Sequence, residues 1–161
     1  MHPTKQIPYN AAHHSHPQPI MAHKLLLPLI CSFAIATACA AESRLYSINA
    51  KTTGAPFDMT ATEIKREHAK SYLSAPGFSE RTAAQSRWLM CVYTDLTLKR
   101  GFSHFTVVYP PENSDVITLG FANSERAKPK QLLGKDYAPE RMLGEAEEMM
   151  PVDTFSLLCG F

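Results

Sequence analysis

The sequence TAAQSRWLMCVYTDLTLKRGFSHFTVV at residues 82–108 passes directly from a helical pattern into a strand pattern. The spacing predicts a helix that begins at Ser79 or Thr82, either of which can act as its N-cap, and runs to about Lys99. Its apolar face carries residues three and then four positions apart, Leu89, Val92 and Leu96. Gly101 ends the helix, because glycine readily adopts the left-handed conformation of a C-terminal cap.

Strand patterns occupy much of the sequence on the C-terminal side of this helix. Residues 102–109 are rich in β-branched and aromatic side chains, and residues 116–121 repeat the pattern after a Pro-Pro break. We expect these two segments to form a hairpin, residues 140–150 to form a short helix and residues 154–159 to form a closing strand. The chain therefore predicts an α+β domain in which one long helix covers a small, mostly antiparallel sheet.

Residues 60–73 fit two patterns. Ile64, His68 and Tyr72 share one face of a helix, whereas alternate residues from Ile64 to Tyr72 share one face of a strand. Intrinsic propensity favours the helix, and the pattern by itself leaves both open.

An export signal is predicted at residues 21–38. Lys24 supplies a short basic segment, an apolar run follows it, and small residues close the unit. The uncharged stretch 25–41 is near the lower limit of the roughly 17–25 residues that span a bilayer, and Pro28 interrupts it. We therefore expect a cleaved signal peptide rather than a permanent transmembrane helix.

The first 20 residues differ in composition from the rest of the chain. They are rich in His and Pro, contain no acidic residue and show no hydrophobic period. Because a signal peptide normally starts close to its basic residues, Met21 is a suitable initiator. We interpret residues 1–20 as a non-native extension, with an unusually long basic segment as the alternative, and expect no metal site from their histidines.

The sequence Ala-Thr-Ala-Cys ending at Cys39 resembles the lipobox of bacterial lipoproteins, in which the cysteine receives diacylglycerol. Leu usually occupies the position of Ala36. The alternative is ordinary signal peptidase cleavage after Ala38 or Ala40. We expect lipidation of Cys39, with Ala40 favouring the outer membrane by analogy with Gram-negative lipoprotein sorting, and a domain that faces the periplasm. Without acylation, the protein would be periplasmic or secreted.

The mature chain divides into a predicted tether at residues 39–60, which has little periodicity, and an α+β domain at residues 61–161. If Cys39 is acylated, Cys91 and Cys159 remain as a pair in an oxidising compartment. They form either a disulfide or two small buried hydrophobic residues, because sequence does not supply the Cα separation that decides between these.

Charge and motifs limit the function classes. A net charge of +1 excludes the strongly basic balance of a nucleic-acid-binding protein. Cys91, Asp95 and His104 are the only nucleophile, acid and base grouped in sequence, and a Cys91–His104 pair could make a thiolate nucleophile. No oxyanion-hole motif accompanies them, so we expect no catalytic residue. The mature chain has no Cys-x-x-Cys or His-x-x-x-His spacing, so we expect no metal and no cofactor.

Residues 77–108 combine a Gly-aromatic turn, a helix that ends in Asp-Leu-Thr-Leu at 95–98, and Gly-Phe-Ser-His-Phe at 101–105. This pattern resembles a family of small proteobacterial lipoproteins and envelope proteins of unknown function, although Thr94 replaces the alanine common before the acidic residue. The resemblance implies a periplasm-facing lipoprotein domain, no known activity, and a strand at residues 62–72.

Two function classes follow from these observations. The preferred hypothesis is a non-enzymatic envelope lipoprotein that is held to the membrane by its lipid and interacts with another envelope component. The alternative is a secreted or periplasmic thiol-dependent enzyme that uses Cys91 with His104.

Overall fold

The computed structural model describes residues 44–160 and has an α+β fold, with a curled antiparallel six-stranded sheet and three α-helices. The strands are β1 (Ser47–Asn49), β2 (Thr60–Glu67), β3 (Lys70–Ser74), β4 (His104–Val108), β5 (Val116–Ala122) and β6 (Met150–Pro151). The helices are α1 (Ala83–Lys99), α2 (Pro129–Leu133) and α3 (Asp153–Cys159). The strands lie in the order β1-β2-β3-β5-β4-β6. The predicted α+β class with an antiparallel sheet is confirmed.

Helix α1 begins and ends at the residues that the sequence indicated. The Thr82 hydroxyl accepts a hydrogen bond from the Gln85 N–H, and the Gln85 side chain accepts one from the Thr82 N–H, which completes a capping box. At the other end, Gly101 has a φ of 77°. Both signals are local, which is why the sequence was sufficient to place them.

The two faces of the sheet are covered by different helices. On one face, the buried residues Leu89, Val92 and Leu96 of α1 pack with a core from the strands that contains Leu73, Phe105, Val107, Ile117, Leu119 and Phe121. On the other face, α2 lies against β5 at Gly120. A Cβ at Gly120 would come within 2.3 Å of Leu132 Cδ2, so glycine permits this close approach.

Residues 60–67 and 70–74 form strands β2 and β3, with a turn at residues 68–69, so the helix that propensity favoured is wrong. Strand β3 is paired on both sides, with β2 and with β5, and its residues Ser71 and Leu73 are buried. Pairing with segments distant in sequence overrides the weak local preference for helix. A bulge between Glu63 and Lys65 shifts the register of β2, and a turn at residues 68–69 separates β2 from β3, so alternate residues from Ile64 to Tyr72 do not form the face of one continuous strand.

The predicted tether is also wrong over the described part of its range, because residues 46–60 belong to the folded domain. Strand β1 pairs with β2, and Tyr46, Ala50 and Met59 are buried. The Ala50 N–H donates to the carbonyl of Met59 and closes the intervening loop. The buried positions are too widely spaced to produce a hydrophobic period. Residues 39–43 of the predicted tether lie outside the described residues.

The C-terminal elements differ from the prediction as well. The predicted helix at residues 140–150 is a short 3-10 helix at Pro139–Arg141 followed by turns and bends up to strand β6, and the predicted closing strand at 154–159 is helix α3. Only one side of α3 contacts the core, through Phe155, whose ring centroid is 5.8 Å from that of Phe105. A short apolar run of this kind cannot be assigned to strand or helix from periodicity alone.

Hydrogen bonds define two ends of this domain. At the turn end, Arg100, which caps the C-terminus of α1, donates to the carbonyls of Glu67 and His68 in the β2–β3 turn. The carbonyl of Arg44 also accepts a bond here, from Arg66. At the loop end, the β3–α1 connection bonds to Asp115 at the end of the β4–β5 loop. Helix α1 has 17 residues and separates these ends by about 25 Å.

The predicted signal peptide at 21–38, the extension at 1–20 and Cys39 lie outside the described residues. Within residues 44–160, no helix has both the length and the apolar character needed to cross a bilayer.

Candidate functional site

A fully buried carboxylate, that of Glu63, lies on β2 near the turn end. Its Oε1 accepts hydrogen bonds from Arg66 Nε at 2.9 Å, Ser71 Oγ at 2.6 Å and Arg100 Nη1 at 3.4 Å. Its Oε2 accepts bonds from the backbone N–H of Tyr46 at 3.0 Å and from Arg66 Nη2. We call these five residues the carboxylate cluster. It connects the residue before β1 with β2, β3 and the C-terminal end of α1.

The cluster holds Glu63 in its ionised form. Burial alone would raise the pKa of Glu63, but the hydrogen bonds from Arg66, Ser71 and Tyr46 outweigh burial and hold this pKa below the ordinary value of 4.5. A carboxylate offers about four lone-pair sites, and the donors of the cluster occupy them. The cluster is therefore structural, because no lone pair of Glu63 remains to bind a ligand.

Cys91 and Cys159 are joined by a disulfide, with their Sγ atoms 2.05 Å apart. Of the two alternatives that the sequence left open, the structure contains the disulfide. The bond ties the middle of α1 to the last residue of α3 across a separation of 68 residues. In the chain-entropy model, a loop of this length stabilises the folded state by about 4 kcal/mol.

The three residues considered for catalysis have other partners. Cys91 carries no thiol while the disulfide is present, so a thiolate there would require reduction of that bond first. Asp95 accepts hydrogen bonds from the Tyr46 hydroxyl at 2.9 Å and from Lys99 Nζ at 2.6 Å. His104 Nδ1 lies 2.8 Å from the hydroxyl of Ser103. Each of the three residues thus has a partner other than the two proposed for catalysis.

A groove of about 450 Å³ runs beside the disulfide. Its lining includes Trp88, Asp95 and Lys99 of α1, both disulfide cysteines, and Leu158 of α3. We call it the lateral groove. It is largely apolar, with the Asp95–Lys99 ion pair at one side.

A second cavity, of about 730 Å³, lies at the loop end between the β3–α1 connection and residues 110–115. We call it the loop-end cleft. Arg81 forms part of its wall, and its guanidinium lies 3.6 Å from the ring centroid of Phe78 and 5.0 Å from that of Tyr109. Arg81 Nη1 also donates to the carbonyl of Phe78 at 2.7 Å. The guanidinium is therefore held in position by contacts within the chain.

None of the residues Glu63, Arg66, Arg81 and Arg100 was predicted from the sequence as a site residue. A charged residue in a strand or beside a helix end usually faces solvent, so the pattern gives no reason to single it out. The partners are also distant in the chain, since Arg100 and Glu63 are 37 positions apart. No local signal in the sequence could have identified this contact.

Metal ligands and relatives give no further lead. Among the residues that the structure describes, no group of three or more His, Cys, Asp or Glu side chains is placed to hold a metal ion. Searches for a matching family model, a similar curated protein or a similar solved structure found no match. The resemblance to small envelope lipoproteins and the lipidation of Cys39 both stay predictions.

Replacement of Glu63 by Gln should lower the free energy of unfolding by at least about 3 kcal/mol. The change removes the countercharge of two largely buried guanidiniums, those of Arg66 and Arg100. The matched control is Glu140→Gln, which removes an exposed ion pair with Arg141 and should cost no more than about 1 kcal/mol. Urea unfolding of the three proteins at pH 7 measures both values. Equal losses for the two variants would contradict the structural role of the cluster.

Proposed function

We propose that this protein is a non-enzymatic envelope lipoprotein that binds another envelope component through its loop-end cleft. The signal at residues 21–38 and the cysteine at position 39 support export and anchoring to the outer membrane. The Cys91–Cys159 disulfide supports the same compartment, because disulfides persist in oxidising environments such as the periplasm. The observation that carries the binding role is the pre-positioned Arg81 in the wall of the cleft.

The cleft has the composition of a binding surface. Arginine and aromatic side chains are the groups that most often carry the energy of protein interfaces, and Arg81 lies over the rings of Phe78 and Tyr109, whose centroids are 5.2 Å apart. Burial raises the pKa of the Tyr109 hydroxyl, while the nearby Arg81 opposes this rise. Because these side chains are already ordered, binding loses less side-chain entropy than it would at a mobile surface.

The position of the cleft suits an anchored protein. The described chain begins at Arg44, which belongs to the turn end, whereas the cleft belongs to the loop end about 25 Å away along α1. A lipid on Cys39 would therefore hold the turn end close to the membrane and leave the cleft accessible from the periplasm.

Metabolic labelling with a palmitate analogue tests the anchor. We expect label on the wild-type mature protein and none on the Cys39→Ala variant, because the acyl chains are attached through that cysteine. Mass spectrometry of the mature N-terminus should give Cys39 as its first residue. An unlabelled wild-type protein, or equal labelling of Cys39→Ala, would contradict the anchor.

Photo-crosslinking in cells tests the cleft. A photoreactive residue at Glu112, which is exposed at the rim of the cleft, should give a discrete cross-linked product. The same residue at Lys130, exposed on α2, serves as the matched control and should give none. Arg81→Ala should abolish the Glu112 product while the far-UV circular dichroism stays unchanged. A product that survives Arg81→Ala, or that forms equally at Lys130, would contradict binding through the cleft.

A further inference from the structure

Two neighbouring leucines on α3 are the most exposed large hydrophobic residues among those described, with 88% of Leu157 and 81% of Leu158 accessible. Their orientation is fixed by the rest of the helix. Phe155 packs on Phe105 in the core, and Cys159 is bonded to Cys91. The packing of Phe155 and the disulfide of Cys159 therefore fix α3 so that Leu157 and Leu158 face solvent. Exposed apolar side chains that lie next to each other are typical of contact surfaces.

This leucine pair lies on the side of the domain where the described chain begins. Leu158 lines the lateral groove together with Asp95 and Lys99. Asp95 accepts the hydrogen bond of the Tyr46 hydroxyl, and Lys99 Nζ lies 5.1 Å above the Tyr46 ring. Tyr46 is two residues from Arg44. Tyr46 therefore contacts two residues, Asp95 and Lys99, that line the same groove as Leu158.

The length of chain before Arg44 indicates what covers this surface. Four residues separate Cys39 from Arg44, and a chain of this length reaches at most roughly 18 Å. If Cys39 is acylated, the lipid surface must lie within that distance of Arg44, and Tyr46, two residues on, contacts Asp95 and Lys99 of the lateral groove. A partner protein would have to fit between the anchored domain and the lipid surface, whereas the anchor itself brings the lipid surface close to the domain.

We propose that Leu157 and Leu158, with the adjoining lateral groove, rest in the lipid surface as a second contact beside the acyl anchor. This inference rests on the proposed anchoring at Cys39. Apolar side chains on a surface helix enter the boundary between headgroups and acyl chains to a depth of about 5–10 Å. Two points of contact fix the orientation of the domain, whereas a single acylated residue would leave it free to rotate.

Trp88 provides a probe at this surface, because it lines the lateral groove and is the single tryptophan of the chain. The test uses the mature chain with Cys39→Ala, so that the acyl chains contribute nothing, and phosphatidylcholine vesicles that contain brominated lipid. We expect the bromines to quench Trp88. Leu157→Ser combined with Leu158→Ser should lower the partition coefficient at least about tenfold. Ile64→Ser is the matched control, since Ile64 is exposed but does not line the groove, and should bind as before.

The outcomes separate this inference from the proposed anchor. Quenching of Trp88 in the Cys39→Ala chain, combined with a wild-type protein that takes up no palmitate, would refute the anchor and leave the leucine surface standing. The opposite outcome is palmitate on Cys39 of the wild-type protein, with Trp88 unquenched in both the Cys39→Ala chain and the acylated protein. That outcome would refute the leucine surface and leave the anchor. Vesicle binding that is unchanged by the two serine substitutions would also refute the leucine surface. A cross-link from α3 to a protein in place of lipid contact would refute it as well.

Discussion

The carboxylate of Glu63 is fully buried, and it accepts hydrogen bonds from two arginines, a serine and a backbone N–H. These donors come from β2, β3, the residue before β1 and the end of α1. A buried carboxylate without such partners would be protonated or would destabilise the fold, so each of these elements must be in place for the charge to be tolerated. Arg100 extends the arrangement by binding the carbonyls of the β2–β3 turn. The position of the turn end therefore depends on this one charge.

The disulfide constrains the other side of α1. Helix α3 has only seven residues, and a helix of this length is not stable by itself in water. Its attachment to α1 through Cys159, together with the packing of Phe155, holds it beside the lateral groove and keeps its two leucines outward. The carboxylate cluster and the disulfide thus fix different parts of the same surface, the first through the residues around Tyr46 and the second through α3.

The parts of the fold that the sequence predicted are those with local signals. Helix α1 has a cap, an apolar period and a glycine stop, and the β4 and β5 segments are rich in β-branched and aromatic residues. The parts that it missed depend on distant partners. Residues 46–60 join the sheet through β2, and α3 is defined by one aromatic contact and one disulfide, so neither segment shows a period. The same reason explains the site residues, since Arg66, Arg81 and Arg100 acquire their roles only from the fold around them.

The ionisation of Glu63 is the central physical claim, and a carbon-13 NMR titration of its side-chain carboxyl tests it most directly. The Glu63 signal can be assigned by its absence from the spectrum of a Glu63→Gln protein. The account predicts a pKa below the ordinary glutamate value of 4.5, because the hydrogen bonds of the cluster favour the charged form more strongly than burial opposes it. A measured pKa at or above 4.5 would contradict the account, since burial would then dominate and the two arginines would not be paired with a stable negative charge.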